Sequence, residues 1–207
     1  MKLTTRKLVV TAVLAAIILL FEFTGIGYPK FGVIEMTLMA IPVIIGTIME
    51  GLVPGLILSL FFIGTSFIHL PLNPVFSVLI VSYPLEICLI LIVPRLLVPL
   101  TTWAVFRAVS GKEPTLRRQG VAAGFSAFTG SMTNTLVLLF MLYLLVGNQF
   151  AAQIGSDPRL ISGVIAMIGV INGLPEVGLT VLVTIPIVVA LKRVYGKANT
   201  KPQSRSK

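Results

Sequence analysis

The sequence predicts an all-α integral membrane protein, a compact bundle of six transmembrane helices with both termini cytoplasmic. Three observations lead there. Of 207 residues, 56% are hydrophobic and only 11% charged, with a mean hydropathy of +1.02, whereas a soluble domain carries about 25% charged residues. Apolar stretches fill most of positions 8 to 192, and each spanning helix takes about 20 such residues, so roughly six fit. The cations cluster by topology: Lys2, Arg6 and Lys7 precede the first apolar run; Arg107, Lys112, Arg117 and Arg118 sit near the middle; Lys192, Arg193, Lys197, Lys201, Arg205 and Lys207 close the chain. That places 13 of 16 on one side, which the positive-inside rule makes cytoplasmic. The net charge of +9 therefore reflects membrane orientation, and nucleic acid is not an expected partner.

The first helix is expected over about Leu8 to Phe23. It resembles a secretory signal, but Glu22 and a turn at Thr24 to Lys30 follow in place of a small-residue cleavage site, so the helix is retained. A second, short helix covers about Met36 to Met49 and contains Pro42. After a tight cytoplasmic turn at Glu50-Gly51 a third runs from about Leu52 to Ile68. Pro71, Asn73, Pro74 and Pro84 favour an outer loop from His69 to about Pro84. Helix four follows over about Leu85 to Val109, helix five over Gly120 to Val146 and helix six over Ile161 to Val194, with bends expected at Pro175 and Pro186. Residues 1–195 form one domain, and the Lys-, Ser-, Gln- and Asn-rich stretch 196–207 reads as a basic, disordered cytoplasmic tail. Repeats of fixed period are absent.

Arg95 carries the most functional information. It lies in the apolar run from Leu89 to Leu100, and an ionisable group at membrane depth costs several kcal/mol unless it faces a bundle interior or a wet cavity. Counted along helices at 1.5 Å per residue, Arg95, Asn134 and Asn172 reach a similar central to outer depth. Glu176 lies one turn beyond Asn172 on the same face, and Thr180 continues that stripe. Ser126, Gly130 and Asn134 follow at four-residue spacing on helix five; Gly169 and Gly173 let helix six approach its neighbours, so these two faces are expected to meet. Two readings of this set stay open. In one, Arg95 pairs with Glu176 or Glu86 and the asparagines tie helices together. In the other, the set lines a ligand pocket open to the outside, with Arg95 offering its fork to a carboxylate and the amides binding hydroxyl or amide groups.

Glu22 and Glu35 flank the first outer loop at interface depth. Tyr28, Phe67 and Tyr83 are either pocket walls or part of the interfacial aromatic belt. His69 is the single histidine and suits hydrogen bonding better than metal binding or a triad. Cys88, the single cysteine, excludes an intramolecular disulfide and a thiolate cluster. The zinc-protease, Walker, nucleophile-elbow and paired-aspartate patterns are absent, so no cofactor, metal or catalytic residue is assigned and the chain is not expected to be an enzyme.

Beyond these residues, the chain resembles the membrane-embedded S component, the substrate-binding subunit, of energy-coupling factor vitamin transporters. The resemblance covers nearly all of residues 1–195. Ala12 and Ala16 match the family's Ala-x-x-x-Ala motif, and small residues one turn apart make a flat stripe where another helix comes close. The segments Phe21 to Gly25, Glu35 to Leu38, Thr65 to Phe67, Asn73 to Phe76 and Val93 to Leu97 are similar to the pantothenate-specific type, which adds Glu35, Phe67, His69, Asn73 and Tyr83 to Arg95, Asn134, Asn172 and Glu176 as expected pocket residues. The resemblance implies capture of pantothenate at the outer face of the cell membrane. It also implies docking through Ala12 and Ala16 on a transmembrane coupling subunit driven by two cytoplasmic ATPase subunits. An S component for another water-soluble vitamin is the nearest alternative, and a membrane scaffold without a ligand the next.

Overall fold

A computed structural model of the chain describes residues 5–31, 34–111 and 115–199. Eight helices are present among them: α1 (Thr5–Thr24), α2 (Ala40–Glu50), α3 (Leu52–His69), α4 (Pro74–Ser82), α5 (Pro84–Ser110), α6 (Leu116–Gln153), α7 (Ile161–Ile168) and α8 (Leu174–Asn199). Two 3₁₀ turns, Leu70–Leu72 and Pro158–Leu160, and a π-helical turn, Gly169–Gly173, complete the helical part. Between α1 and α2 the two-residue strands β1 (Lys30–Phe31) and β2 (Ile34–Glu35) pair antiparallel. Five stretches are long and apolar enough to cross a membrane: Thr5–Thr24, Leu52–Leu72, Pro84–Ser110, Leu116–Gln153 and Pro158–Val194. The shorter apolar helix α2 joins them.

Helix α2 is the centre of the bundle. Its 11 residues rise only about 16 Å, too short for an isolated span, yet all but Met49 are buried, because α1, α3, α5, α6 and α8 surround it. Protein in place of lipid covers the backbone at its ends, the condition under which a membrane tolerates irregular chain. The expected turn into α3 is present at Gly51, whose φ of 102° favours glycine. Met39, Val43, Ile44, Leu58, Phe62 and Val98 form the apolar core around α2. A second core, with Leu79, Ile90, Leu142, Val146 and Phe150, lies under α4.

Three stretches depart from the sequence expectation. The segment expected as an outer loop from His69 to Pro84 is mostly helical: Asn73 caps α4 by accepting from the N–H groups of Val75 (3.2 Å) and Phe76 (3.4 Å). Pro74 and Pro84 occupy first positions of α4 and α5, where the missing proline N–H costs nothing and the fixed φ suits a helix. Those prolines start helices; the expectation treated them as breakers. At Val146, the expected end of helix five, the backbone is non-helical (φ −138°, ψ 22°), but the chain kinks there and continues as helix to Gln153. Helix α8 extends to Asn199, past residue 195, and residues 200–207 of the expected tail lie outside the described residues.

The faces of α6 are also divided differently. Gly120 and Gly124 do meet α8, since a Cβ there would contact Val189 at 3.2 Å and Ile185 at 3.1 Å. Gly130, however, faces Thr102 of α5 and Ile44 of α2, so the Ser126, Gly130, Asn134 row turns partly inward and meets α8 through Asn134, beside Glu176.

Candidate functional site

Arg95 is positioned by two prolines. Pro94 and Pro99 lack the N–H groups that would bond the carbonyls four residues earlier, those of Ile90 and Arg95. The Arg95 guanidinium fills the first vacancy, Nη1 donating to Ile90 O at 3.2 Å. Ser59 on α3 fills the second, its hydroxyl donating to Arg95 O at 2.9 Å. The guanidinium carbon lies 5.2 Å from the Phe62 ring centroid, a cation–π contact of the kind that stabilises a desolvated cation. Arg95 is only 5% exposed and its Nε has no hydrogen-bond partner.

Pro175 acts similarly on the neighbouring wall. Its ring cannot follow a regular α-helical carbonyl at Ile171, and the strain is taken up by the π turn Gly169–Gly173. The wider turn places Asn172 and Gly173 on a cleft shared with Glu176. Gly173 sits close enough to α6 that a Cβ there would come within 2.8 Å of Thr135. The expected bend at Pro175 is thus a π turn just before it, whereas Pro186 lies within continuous α8.

These side chains line one cleft of about 870 Å³, open mouth included, together with Tyr28, Thr37, Ser66, His69, Asn73, Phe76, Asn134 and Thr135. Apolar walls come from Ile90, Leu91, Leu138, Leu139 and Ile168. Four buried polar atoms on it have no hydrogen-bond partner, Thr37 Oγ1, Arg95 Nε, Asn134 Oδ1 and Thr135 Oγ1, while the Tyr28 hydroxyl lies beside those of Ser66 and Thr65. Each orphan costs about 1–3 kcal/mol, so the cleft is built to receive polar groups. Glu176 is held by longer contacts, accepting from Thr37 N–H and from the Ser131 hydroxyl, both at 3.5 Å, with the Asn134 amide beside it.

Among the described residues Arg95 forms no salt bridge with Glu176 or Glu86, so of the two open readings the directly paired one is not seen, although the Arg95 and Glu176 charges lie near enough to attract each other across the cleft. At the mouth, Glu22 on α1 is buried and pairs with His69 Nδ1 at 3.4 Å. The His69 ring in turn stacks on Tyr28, centroids 3.8 Å apart and planes 17° from parallel. Burial pushes the Tyr28 hydroxyl up to about 12, with the Arg95 charge opposing, so it remains a donor throughout the working pH range.

The sequence-derived set is therefore largely assembled here. Arg95, Asn134, Asn172, Glu176, His69 and Asn73 all reach the cleft, although the Asn73 carbonyl is committed to capping α4. Phe67 and Tyr83 do not line the cleft and pack against the second apolar core, which forms part of its wall. Glu22, for which the sequence leaves a solvated interface carboxylate and a gating or pocket role equally open, is buried against His69 at the cleft mouth. The side chain of Glu35 lies outside the described residues. Sequence reasoning passed over Thr37, Ser66, Ser131 and Thr135, because hydroxyl residues in apolar helices carry no charge signal, and it left Tyr28 undecided between pocket and belt. Ala12 and Ala16 are both exposed on α1, opposite the buried face of Thr11, Ala15, Ile18 and Glu22.

The model of the family described as "ECF transporter, substrate-specific component" matches residues 6–188. The chain belongs to this family. As an S component it is a multi-pass protein of the cell membrane and a transporter's substrate-specific subunit. It is also similar to the pantothenic acid transporter PanT of Lactococcus lactis subsp. cremoris (strain MG1363), with 28% identity over 172 residues, 77% of this chain and 79% of the relative.

Proposed function

We propose that this S component captures pantothenate from the outside and delivers it to an ATP-driven importer. The observation that carries this reading is the clustering on one cleft of four partnerless buried polar atoms, Arg95 Nε among them. Pantothenate is a monoanion with two hydroxyls and an amide. Its carboxylate suits the free edge of the Arg95 guanidinium and the Tyr28 hydroxyl, and its hydroxyls and amide suit Asn134, Asn172 and Thr135. The resemblance of the Val93 to Leu97 segment to pantothenate-specific S components and the similarity to a pantothenic acid transporter support the same substrate. A scaffold that only locks helices would pair its polar atoms with one another; that reading is disfavoured by the orphans.

The topology that goes with this function has six crossings, α2 being the short one, with both termini and the 196–207 tail cytoplasmic. Ala12 and Ala16, exposed on α1, are the proposed docking stripe for a transmembrane coupling subunit, with two ATPase subunits supplying energy. The test is a thermal-shift panel of water-soluble vitamins on the purified chain. Pantothenate is expected to stabilise it, and the analogue with the carboxylate reduced to an alcohol is expected not to. Stabilisation by a different vitamin alone would replace the substrate.

A further inference from the structure

We propose that an anionic substrate enters the cleft together with one proton, which lands on Glu176. The proposal rests on the function proposed above and follows from a charge count. Among the described residues the charged groups facing the cleft are few: Arg95 from α5 and Glu176 from α8, with His69 from α3 at the mouth, already engaged by Glu22 of α1. Tyr28 contributes a neutral phenol, and α6 and the π turn contribute only Asn134, Thr135, Asn172 and uncharged neighbours. The nearest α2 carboxylate, Glu50, lies at the other end of that helix, at the turn into α3.

The empty cleft is thus balanced, one guanidinium against one carboxylate, both at most 5% exposed. A bound carboxylate would put two anions around the single buried cation. Carboxylates sharing a buried site do not both stay ionised. The ligand's carboxylate takes the stronger donor, Arg95, and Glu176 becomes the acid, its proton coming from solvent; no bond other than O–H forms.

The neighbourhood can accept that proton. Asn134 sits beside Glu176 with a buried amide oxygen that has no donor, and the Ser131 hydroxyl at 3.5 Å turns from donor to acceptor by rotation about one bond. The Asn134 amide donates its N–H to the ionised carboxylate; turned over by rotation about its last side-chain bond, it would present to a protonated Glu176 the oxygen that has no donor in the empty protein.

Calorimetric titration of pantothenate into the full chain in lipid nanodiscs, in two buffers of different ionisation enthalpy, counts the protons. The parent is expected to take up protons on binding, approaching one per ligand toward alkaline pH, where Glu176 of the empty cleft is ionised, and there Kd rises by up to about tenfold per pH unit. Glu176→Gln is expected to bind with no proton uptake and a flat pH profile. His69→Gln is expected to keep the uptake, which gives a second arm should Glu176→Gln fail to fold. Zero uptake by a binding parent, uptake surviving in Glu176→Gln, or uptake lost in His69→Gln would each overturn the assignment while leaving the substrate intact. No pantothenate binding by a folded parent would instead sink the substrate reading, and this proposal with it.

Discussion

The two ends of the bundle solve opposite problems with the same kinds of residue. At the end holding the α2–α3 turn, glycines close the gaps: Gly55 lies against Thr47, Gly46 against Leu58 and Gly130 against Thr102, each too tightly for a Cβ. Charges there are tethered, with Lys7 Nζ donating to Glu50 O at 2.9 Å and Arg118 Nε to Val109 O at 3.0 Å. At the cleft end Gly173 also lies close against Thr135 of α6, but a gap stays open beside that contact, and prolines free carbonyls that orient side chains into it. Packing in the first region leaves no room for a ligand, whereas the second leaves polar atoms waiting for one. Stability and binding should therefore respond separately to substitution in the two regions.

The largest effect is expected from Arg95→Gln, which removes the one arginine or lysine that lines the cleft among the described residues. Losing a buried, hydrogen-bonded charge partner costs about 2–5 kcal/mol of affinity, while the fold persists because Ser59 and α5 hold the backbone. Next is Gly130→Val, expected to destabilise by about 1–3 kcal/mol through overpacking against Thr102 and Ile44. Thermal unfolding checks it, and a variant as stable as the parent would break the claim that this region is closed. Tyr28→Phe removes a hydroxyl that faces the cleft beside those of Ser66 and Thr65, each of which also bonds its own helix backbone. Stability is expected to hold or rise while ligand affinity falls by about 0.5–1.5 kcal/mol; an equal loss of both would make the hydroxyl structural. Pro94→Ala restores an N–H for Ile90 O in competition with Arg95 Nη1, so a slight gain in thermal stability should accompany a few-fold loss of affinity. Smallest of all, Gly64→Ala meets nothing within 4 Å and is expected to change stability by less than about 0.5 kcal/mol.

How much of this was legible in the sequence follows from which signals carry charge or period. Arg95, Asn134, Asn172 and Glu176 stood out because polar groups are rare and expensive in an apolar helix, and counting residues along each helix placed them at one depth. The hydroxyls of Thr37, Ser131 and Thr135 gave no such signal, since a threonine in a membrane helix commonly bonds its own backbone, as Thr11 and Thr47 do here. Helix α4 was missed because a proline reads as a breaker unless its position within the first turn is known, and Asn73 supplies that position. The π turn was legible only as a bend at Pro175, because the direction in which a helix relaxes is set by the neighbour it packs on, here Thr135 against Gly173. The burial of Glu22 depended on a partner, His69, 47 positions away in the chain.

The central claim is that Arg95 is kept without a carboxylate partner in order to take one from the ligand. Equilibrium binding of labelled pantothenate to the parent and to Arg95→Gln, both shown to be folded by thermal unfolding, tests it most directly. Tight binding by the parent that is lost in a folded Arg95→Gln is the predicted result. Undiminished binding by Arg95→Gln would contradict it.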